Sequence, residues 1–261
     1  MSPDDVFDSF ALSHVGLVRT ANEDSFVVRA DLGLWAVADG MGGHAAGDVA
    51  SAAIVERLAR IPVQSEAAAL LRACETQIHD ANRDITNIAA QRGLGVMGST
   101  VVALLVFGRH YACLWAGDSR AYRITPGESA TQLTRDHTEA EQLVAEGVLS
   151  EAEARLWPRR NVITRAVGAS DDLTLDLVNG EMLPGDAFIL CSDGLTAHVE
   201  PHEIAGCLQD ADAESACRAL VDLALARGGS DNVTVIALRY RGESQETQLR
   251  PADGRSGTRP R

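Results

Sequence analysis

The sequence of 261 residues predicts an α+β domain in which one sheet packs on another and helices lie outside them. Two observations carry this prediction. Strand-like and helix-like segments do not alternate regularly along the chain, as they would in a doubly wound parallel sheet. Several strand-like runs, such as VVALLVF at 101–107 and VTVIAL at 233–238, are apolar throughout, which indicates strands covered on both faces.

The predicted strands are short runs rich in apolar residues. They cover residues 9–15, 25–29, 33–38, 99–107, 110–116, 119–124, 174–178, 186–191 and 232–240. Two helices follow the first three strands, a helical insertion lies near residues 138–157, and two more helices precede the last strand. This order favours a layered domain over a regular β-α-β fold.

Helices are predicted where apolar residues recur every three or four positions. One stripe consists of Leu71, Cys74, Ile78, Ala81, Ile85 and Ile88, and another of Cys217, Leu220, Val221 and Ala224. An earlier helix begins near Ala46 and is closed by Pro62. Residues 241–261 contain one large apolar residue, Leu249, and are therefore predicted to form a disordered tail.

Composition indicates a soluble globular protein, because 46% of the residues are hydrophobic and can form a sizeable core. The net charge of −14 argues against nucleic acid or an anionic membrane surface as the main partner. No apolar stretch approaches the roughly 20 residues that cross a bilayer, and the acidic start MSPDDVFDSF is unlike a signal peptide, so a cytoplasmic location is expected. The five cysteines lack C-x-x-C spacing, and neither a disulfide nor a zinc site is expected.

Four apolar runs carry an aspartate at an edge flanked by glycine or serine. They are Asp39 in LWAVADG, Asp118 in CLWAGDS, Asp193 in FILCSDG and Asp231 in GGSDNVTVIAL. Turn formation or helix capping would explain any single one of them. A tight hairpin turn is less suitable for Asp39 and Asp193, because helix-like sequence rather than a strand follows each.

Carboxylates that converge at the rim of a sheet repel one another unless a cation neutralises them. Hard oxygen ligands without histidine or cysteine companions suit Mg²⁺ or Mn²⁺. Glycines at positions 40, 42 and 43 would leave room for a backbone carbonyl to approach such an ion. The aspartates are therefore candidate metal ligands.

Seven segments, in order along the chain, match a known family. They are RTANED at 19–24, VADGMGG at 37–43, GST at 98–100, WAGDSR at 115–120, LTRDHT at 133–138, CSDGL at 191–195 and SDNVT at 230–234. On these segments the chain resembles the metal-dependent protein phosphatases, the type 2C Ser/Thr phosphatases, in their compact bacterial form. The resemblance covers roughly residues 8–240.

The resemblance implies a four-layer fold with two antiparallel sheets between outer helices. It implies a catalytic domain at residues 1–240, with a mobile flap at about 138–168 beside the active site. Outside it, residues 241–261 would form the disordered tail.

The resemblance also implies a centre of two metal ions, Mn²⁺ or Mg²⁺, with a third ion in many bacterial members. The residues it assigns are Asp39 bridging both ions, the carbonyl of Gly40 on the first, Asp193 and Asp231 on the second, Asp118 on the third, Glu23 and Asp24 holding metal-bound waters, and Arg19 gripping the substrate phosphate. An arginine can bind two phosphate oxygens through parallel, charge-assisted hydrogen bonds.

The function implied is hydrolysis of phosphoserine and phosphothreonine in proteins by a metal-bridging hydroxide, as two divalent ions can activate water for attack at phosphorus. A monomer that opposes a bacterial Ser/Thr kinase is expected. The alternatives are a catalytically weak sensor or binding module on a phosphatase fold, and a calcium-stabilised structural protein. The last leaves Arg19 without a role, and the chain lacks an EF-hand loop.

The sequence departs from the family pattern at Met41, where many eukaryotic members have a histidine proposed to protonate the leaving alcohol. A thioether cannot donate a proton, so His44 or a water must serve, and water is favoured. His137 is interpreted as the anchor of a turn. In the flap, Arg159 and Arg160 are either substrate contacts or solvated charges, and Trp157 is a candidate anchor.

Overall fold

A computed structural model describes residues 6–42, 46–93, 95–209 and 211–242. Two antiparallel sheets pack face to face, and helices cover the outer face of each. The predicted α+β fold with four layers is confirmed. Residues 243–261, most of the predicted tail, lie outside the described residues, as do Gly43 and His44.

The first sheet combines the N-terminal strand with strands from the C-terminal half of the chain. Its strands are β1 (Phe7–His14), β7 (Arg120–Ile124), β8 (Thr131–Gln132), β10 (Ala187–Cys191) and β11 (Val233–Tyr240). They lie in the order β1-β11-β10-β7-β8, and every neighbouring pair is antiparallel. Strand β11, the last described strand, therefore lies inside the sheet.

The second sheet is built mainly from the first half of the chain. Its strands are β2 (Asp24–Arg29), β3 (Leu34–Gly42), β4 (Met97–Ser99), β5 (Val101–Phe107), β6 (His110–Ala116) and β9 (Asp176–Glu181). The order is β2-β3-β5-β6-β9, and β4 pairs with the end of β3. The first residue of β2, Asp24, and the residue after β10, Ser192, meet at one rim of the two sheets. There the Ser192 hydroxyl donates a hydrogen bond to the Asp24 carboxylate.

Seven helices are described. They are α1 (Gly47–Ala59), α2 (Ala67–Arg92), α3 (Glu139–Ala145), α4 (Glu151–Arg155), α5 (Asp193–Thr196), α6 (Pro201–Leu208) and α7 (Ala213–Ala226). In α2 the predicted stripe is confirmed for four of its members, while Leu71 and Ile88 lie at the margin of the buried face, since a helix turns 3.6 residues at a time. No helix among the described residues is both long and apolar enough to span a bilayer.

Three apolar layers hold the fold together. Helices α1 and α2 cover the second sheet, with Ile54 and Ile78 fully buried there, and helices α6 and α7 cover the first. Between the sheets lie fully buried side chains such as Trp35, Leu104 and Phe188. The continuous apolar runs of the sequence are therefore strands covered on both faces, as predicted.

The predicted boundary of β3 was wrong. The strand was expected to end before Asp39, but it continues to Gly42, so Asp39 lies within the strand. The extension pairs with β4, with Gly40 opposite Ser99. Only glycine fits at position 40, because a Cβ atom there would come within 2.0 Å of the carbonyl oxygen of Gly47.

Other strand boundaries also differ from the prediction. The expected strand at 99–107 is divided at Thr100 into β4 and β5, because the Thr100 hydroxyl takes the place of a backbone acceptor for the amide of Asp39. Strand β9 begins two residues later than expected and ends three residues later, and its polar sequence, DLVNGE, has alternate residues exposed. The exposed two-residue strand β8 carries no apolar signal and was not predicted.

The cysteines form no disulfide. All five lie in described segments and are free, and four of them are buried. Burial raises the pKa of the Cys74 and Cys191 thiols to about 12, so both are protonated at neutral pH. They pack as small apolar side chains, as the sequence indicated.

The layer between the sheets can be tested by shortening one of its side chains. Leu104→Ala should lower the free energy of unfolding by about 2–5 kcal/mol, because Leu104 is fully buried in this layer. Leu183→Ala is the matched control; Leu183 is 50% exposed, and its change should stay within about 0.5 kcal/mol. Urea denaturation measures both. Equal losses in the two variants would contradict the three-layer description.

Candidate metal centre

The predicted site residues of the second sheet lie on adjacent strands. Asp24 in β2 and Asp39 in β3 stand directly opposite each other in the antiparallel register. Beyond this pair, the amide of Gly40 donates a hydrogen bond to the carbonyl oxygen of Glu23. The Glu23 carboxyl packs so closely on Gly47 that a Cβ atom there would lie 2.8 Å from its Cδ. The pairing of β2 with β3 therefore places Asp24 and Asp39 side by side at one end of these strands.

The first sheet contributes Asp193 and Asp231 to the same rim. Asp193 follows β10 and opens the short helix α5, and Asp231 immediately precedes β11. Strands β10 and β11 are neighbours, so the two aspartates are brought together although 38 positions separate them in the sequence. Burial is the main cause that raises the pKa of Asp193, and repulsion from Asp231 raises it further.

Asp118 lies where the chain crosses from one sheet to the other, between β6 and β7. It is buried, with 7% of its surface exposed. The preceding residue, Gly117, has a φ of 111°, in the region that favours glycine, and a Cβ atom there would lie 2.6 Å from the side chain of Thr100. This tight crossing sets the position of Asp118.

The aspartates act on one another electrostatically. Burial, followed by repulsion from Asp24, Asp193, Asp118 and Asp231, raises the pKa of Asp39 well above its ordinary value. Burial and the charge of Asp193 raise the pKa of Asp118 to about 7. The structure therefore gathers all four predicted aspartates, and Asp24 with them, into one cluster.

Asp24 has one oxygen committed and one without a partner. Its Oδ2 accepts hydrogen bonds from the hydroxyls of Ser192 and Thr234, at 2.8 and 2.7 Å. Its buried Oδ1 has no hydrogen-bond partner among the described residues. Burial raises the Asp24 pKa to about 6, against the lowering effect of the two hydroxyls. An unpartnered carboxylate oxygen in this cluster suits a role in holding water beside a cation.

The donor set fits a water-rich divalent ion site. Among the described residues no three His, Cys, Asp or Glu side chains converge tightly enough to hold an ion by themselves. Mg²⁺ retains several waters and binds through one or two carboxylates, so the carboxylates around Asp39 provide enough protein ligands for it. The raised pKa of Asp39 and the unpartnered buried oxygen of Asp24 both fit a place for a cation in this cluster.

Arg19 stands at the exposed rim of the cluster. Its Nη2 donates a 2.7 Å hydrogen bond to Oδ2 of Asp231, which raises the pKa of the guanidinium. The Arg19 side chain is 53% exposed and forms no other ion pair within the described part of the chain. It therefore has free donors directed to solvent beside the carboxylates.

Two residues that organise the site were not assigned a role from the sequence. Asn232, which is buried, accepts from the amide of Glu23 and donates to the carbonyl oxygens of Val15 and Ala21. It thus holds the loop that carries Arg19. Thr100 accepts from the amide of Asp39 and shares a 2.7 Å hydrogen bond with Ser119. The signal in the sequence was a polar residue inside a matched motif, SDN and GST.

The remaining candidates have varied outcomes. Met41 lies in β3 with its methyl group near Gly98, so no proton donor occupies that position. His44 lies outside the described residues. In the flap, Trp157 donates to Glu139, which also pairs with Arg159 at 2.8 Å. Trp157 and Arg159 are thus committed to contacts within the flap.

Comparison with known proteins gives one family. A sequence profile of protein phosphatase 2C matches residues 18–226. The serine/threonine protein phosphatase PstP of Mycobacterium tuberculosis is 39% identical over 227 residues, which are 87% of this chain and 43% of that protein. The chain thus spans less than half the length of this relative.

Solved structures agree with the sequence comparison. PppA of Pseudomonas aeruginosa, described as a regulatory component of T6SS, superposes with a TM-score of 0.84 at 42% identity, covering 90% of this chain and 98% of that one. The catalytic domain of PstP in complex with two manganese ions gives 0.81 at 36% identity, with 90% and 98% covered. The chain therefore belongs to the protein phosphatase 2C family.

Proposed function

We propose that this protein is a metal-dependent protein serine/threonine phosphatase. The observation that carries the proposal is the cluster of five aspartates around Asp39, drawn from both sheets, with Arg19 exposed beside it. Relatives that share 39% of the aligned sequence are named serine/threonine phosphatases, which supports the same activity here. We take residues 1–240 as the catalytic domain and residues 138–168 as its flap.

Two ions, Mn²⁺ or Mg²⁺, are proposed as the cofactor, since the catalytic domain of PstP is described with two manganese ions. Such a pair supplies an activated water at neutral pH and neutralises charge on the phosphate. Asp39 would bridge the pair, with the Gly40 carbonyl on one ion and Asp193 and Asp231 on the other. Asp118 would hold a third ion, while the carboxylates of Glu23 and Asp24 would hold waters.

The chain's own residues would then orient the phosphate. Arg19, whose side chain is 53% exposed, has donors free to take two phosphate oxygens at once, and its charge would add to the neutralisation of the phosphate by the ions. Its present partner, Asp231, is a proposed ligand, so a cation that engages Asp231 would weaken that ion pair. Arg19 is thereby available to the substrate when the site is loaded.

The leaving alcohol needs a proton, but position 41, in β3, is a methionine. A thioether cannot donate, so we assign this step to a water molecule. Phosphorylated proteins are the proposed substrates, with a Ser/Thr kinase as the opposing enzyme. A monomer acting in the cytoplasm completes the proposal.

Removal of the metal or of the bridging ligand tests the activity. Asp39→Asn should lower the rate of p-nitrophenyl phosphate hydrolysis with Mn²⁺ by at least about 100-fold. Loss of a group that only hydrogen-bonds a metal ligand already lowers metal affinity or activity about 10- to 100-fold, and Asp39 is a proposed ligand itself. EDTA should abolish it reversibly. Asp222→Asn, an exposed carboxylate on α7, is the matched control and should retain full activity.

Wild-type protein that binds Mn²⁺ without turning over p-nitrophenyl phosphate or a phosphothreonine peptide would overturn the proposal. That result would favour a sensor on a phosphatase fold. A phosphotyrosine peptide added to the same assay tests the substrate class, and turnover confined to phosphoserine and phosphothreonine is expected.

Arg19 can be tested by separating charge from geometry. Arg19→Ala should raise KM for a phosphopeptide about 10- to 100-fold, since a hydrogen bond to a charged group contributes about 1.5–3 kcal/mol. Arg19→Lys should fall between, because it keeps the charge and loses the fork. Arg72→Ala, at an exposed position of α2, serves as control. An unchanged KM in Arg19→Ala would contradict the assigned role.

The stabilisation that Mn²⁺ gives should grow with pH. Without metal, burial raises the pKa of Asp118 to about 7 and that of Asp24 to about 6, above the value of about 3.9 for an unfolded aspartate. The metal-free fold thus binds more protons than the unfolded chain, and these groups lose their stabilising contribution as pH rises from about 4 through about 7.

Thermal denaturation measures this effect, in EDTA and in Mn²⁺ at about pH 5, 6 and 7.5. The increase in Tm on adding Mn²⁺ should be smallest at the lowest pH, because protons then compete with the ions. Asp118→Asn should flatten the dependence. A Tm increase that is constant over this range would contradict the assignment of these carboxylates as ligands.

A further inference from the structure

His137 occupies a buried position between the proposed metal centre and the flap. It lies immediately before the flap, residues 138–168, and 9% of its surface is exposed. Its ring stacks on Trp115, with 6.1 Å between ring centroids and an interplanar angle of 11°. The stacking fixes the ring plane, so both ring nitrogens have defined directions.

On one side His137 holds Gly117 through two hydrogen bonds. The Nδ1 atom accepts from the amide of Gly117 at 3.1 Å, and the amide of His137 donates to the Gly117 carbonyl oxygen at 3.0 Å. Gly117 is the residue before Asp118, and its backbone is already confined by contact with Thr100. His137 therefore fixes the peptide that carries the Asp118 carboxylate.

On the other side His137 holds the C-terminal end of the flap. Its carbonyl oxygen accepts from the amide of Thr164 at 2.8 Å. The Nε2 atom lies 3.3 Å from Oδ2 of Asp176 and 3.0 Å from Nη1 of Arg165, and Arg165 itself pairs with Asp176. Because Nδ1 accepts from an amide, the neutral ring carries its proton on Nε2, and of these two neighbours only the Asp176 carboxylate can accept it. His137 thus joins the flap to β9, with its backbone carbonyl contacting Thr164 and its ring contacting Asp176.

Polar contacts continue from Asp118 towards Asp39. Ser119, next in the chain, shares its hydroxyl hydrogen bond with Thr100, and Thr100 bonds the amide of Asp39. The base of the flap and Asp39 are therefore linked through buried and partly buried hydrogen bonds, and His137 contacts both the flap and the peptide of Asp118. A shift at one end of this chain of hydrogen bonds would leave a buried polar group without its partner, so the flap base and Asp39 are expected to move together.

We propose that His137 is a positioning residue that fixes Asp118 relative to the base of the flap, so that an ion held by Asp118 also orders the flap. The proposal rests on the function proposed above for the cluster. In this proposal His137 is assigned no contact with substrate or ion. It acts through Gly117 on one side and through Thr164 and Asp176 on the other.

Substitutions can separate the two sides of the ring. In His137→Asn the amide oxygen can take the place of Nδ1 and keep the bond from Gly117, while the contact with Asp176 is lost. In His137→Ala both are lost. His110→Ala, an exposed histidine at the start of β6, is the matched control. Thermal denaturation first shows which variants are folded.

Two readouts test the proposal without using turnover. Calorimetric titration with Mn²⁺ should show that the weakest binding step loses about 10-fold or more in affinity in His137→Ala and is kept in His137→Asn. Hydrogen exchange at the Thr164 amide should slow when Mn²⁺ binds to the wild type. That slowing should disappear in His137→Asn and in Asp118→Asn, and persist in His110→Ala.

The proposal is wrong if Mn²⁺ leaves exchange at Thr164 unchanged in the wild type, or if His137→Asn retains the protection. Wild-type affinity for Mn²⁺ in a folded His137→Ala variant would also overturn it. Hydrolysis of p-nitrophenyl phosphate by the same wild-type preparation is measured in parallel. Absence of turnover with intact Mn²⁺-dependent protection would reject the phosphatase function and leave the role of His137 standing.

Discussion

The confinement of like charges at one rim is the constraint on which the rest of the structure depends. Asp39 and four further aspartates share a partly buried space, and burial together with repulsion among these carboxylates raises the pKa of Asp39. Such a cluster destabilises a fold unless the surroundings hold it in place. Three apolar layers provide that support, because each sheet is covered on both faces. The cluster is therefore an electrostatically unfavourable arrangement maintained by a large, well-packed interior.

Much of this arrangement could be predicted from the sequence. Apolar runs gave the strands, their lack of alternation with helices gave the layered class, and aspartates at the run edges gave the ligand candidates. Register could not be predicted: Asp39 lies inside β3, because pairing of Gly40 with Ser99 extends the strand beyond its apolar part. Asn232 was also beyond reach, since its partner Glu23 lies 209 positions away. Contacts of that kind depend on tertiary packing, which local patterns do not report.

The site shows how the family pattern is accommodated where one residue departs from it. Met41 replaces the histidine of many eukaryotic members, yet the strand around it is intact and its side chain packs beside Gly98. Contact with Gly47 restricts position 40 to glycine, and Asp39 is held by its pairing with Asp24 and by its hydrogen bond to Thr100. None of these contacts involves the side chain at position 41. The side chain at position 41 can thus differ without disturbing Asp39 and Gly40.

The contacts of Asp24 fasten the two sheets together at the rim. Asp24 belongs to the second sheet, and it accepts hydrogen bonds from Ser192 and Thr234 of the first. Since Asp39 lies on one sheet and Asp193 follows a strand of the other, any sliding between the sheets alters the gap between their carboxylates. Interior side chains far from the rim therefore help to set the distance between these carboxylates. Repacking of the interior would change that distance while every aspartate of the cluster stays the same.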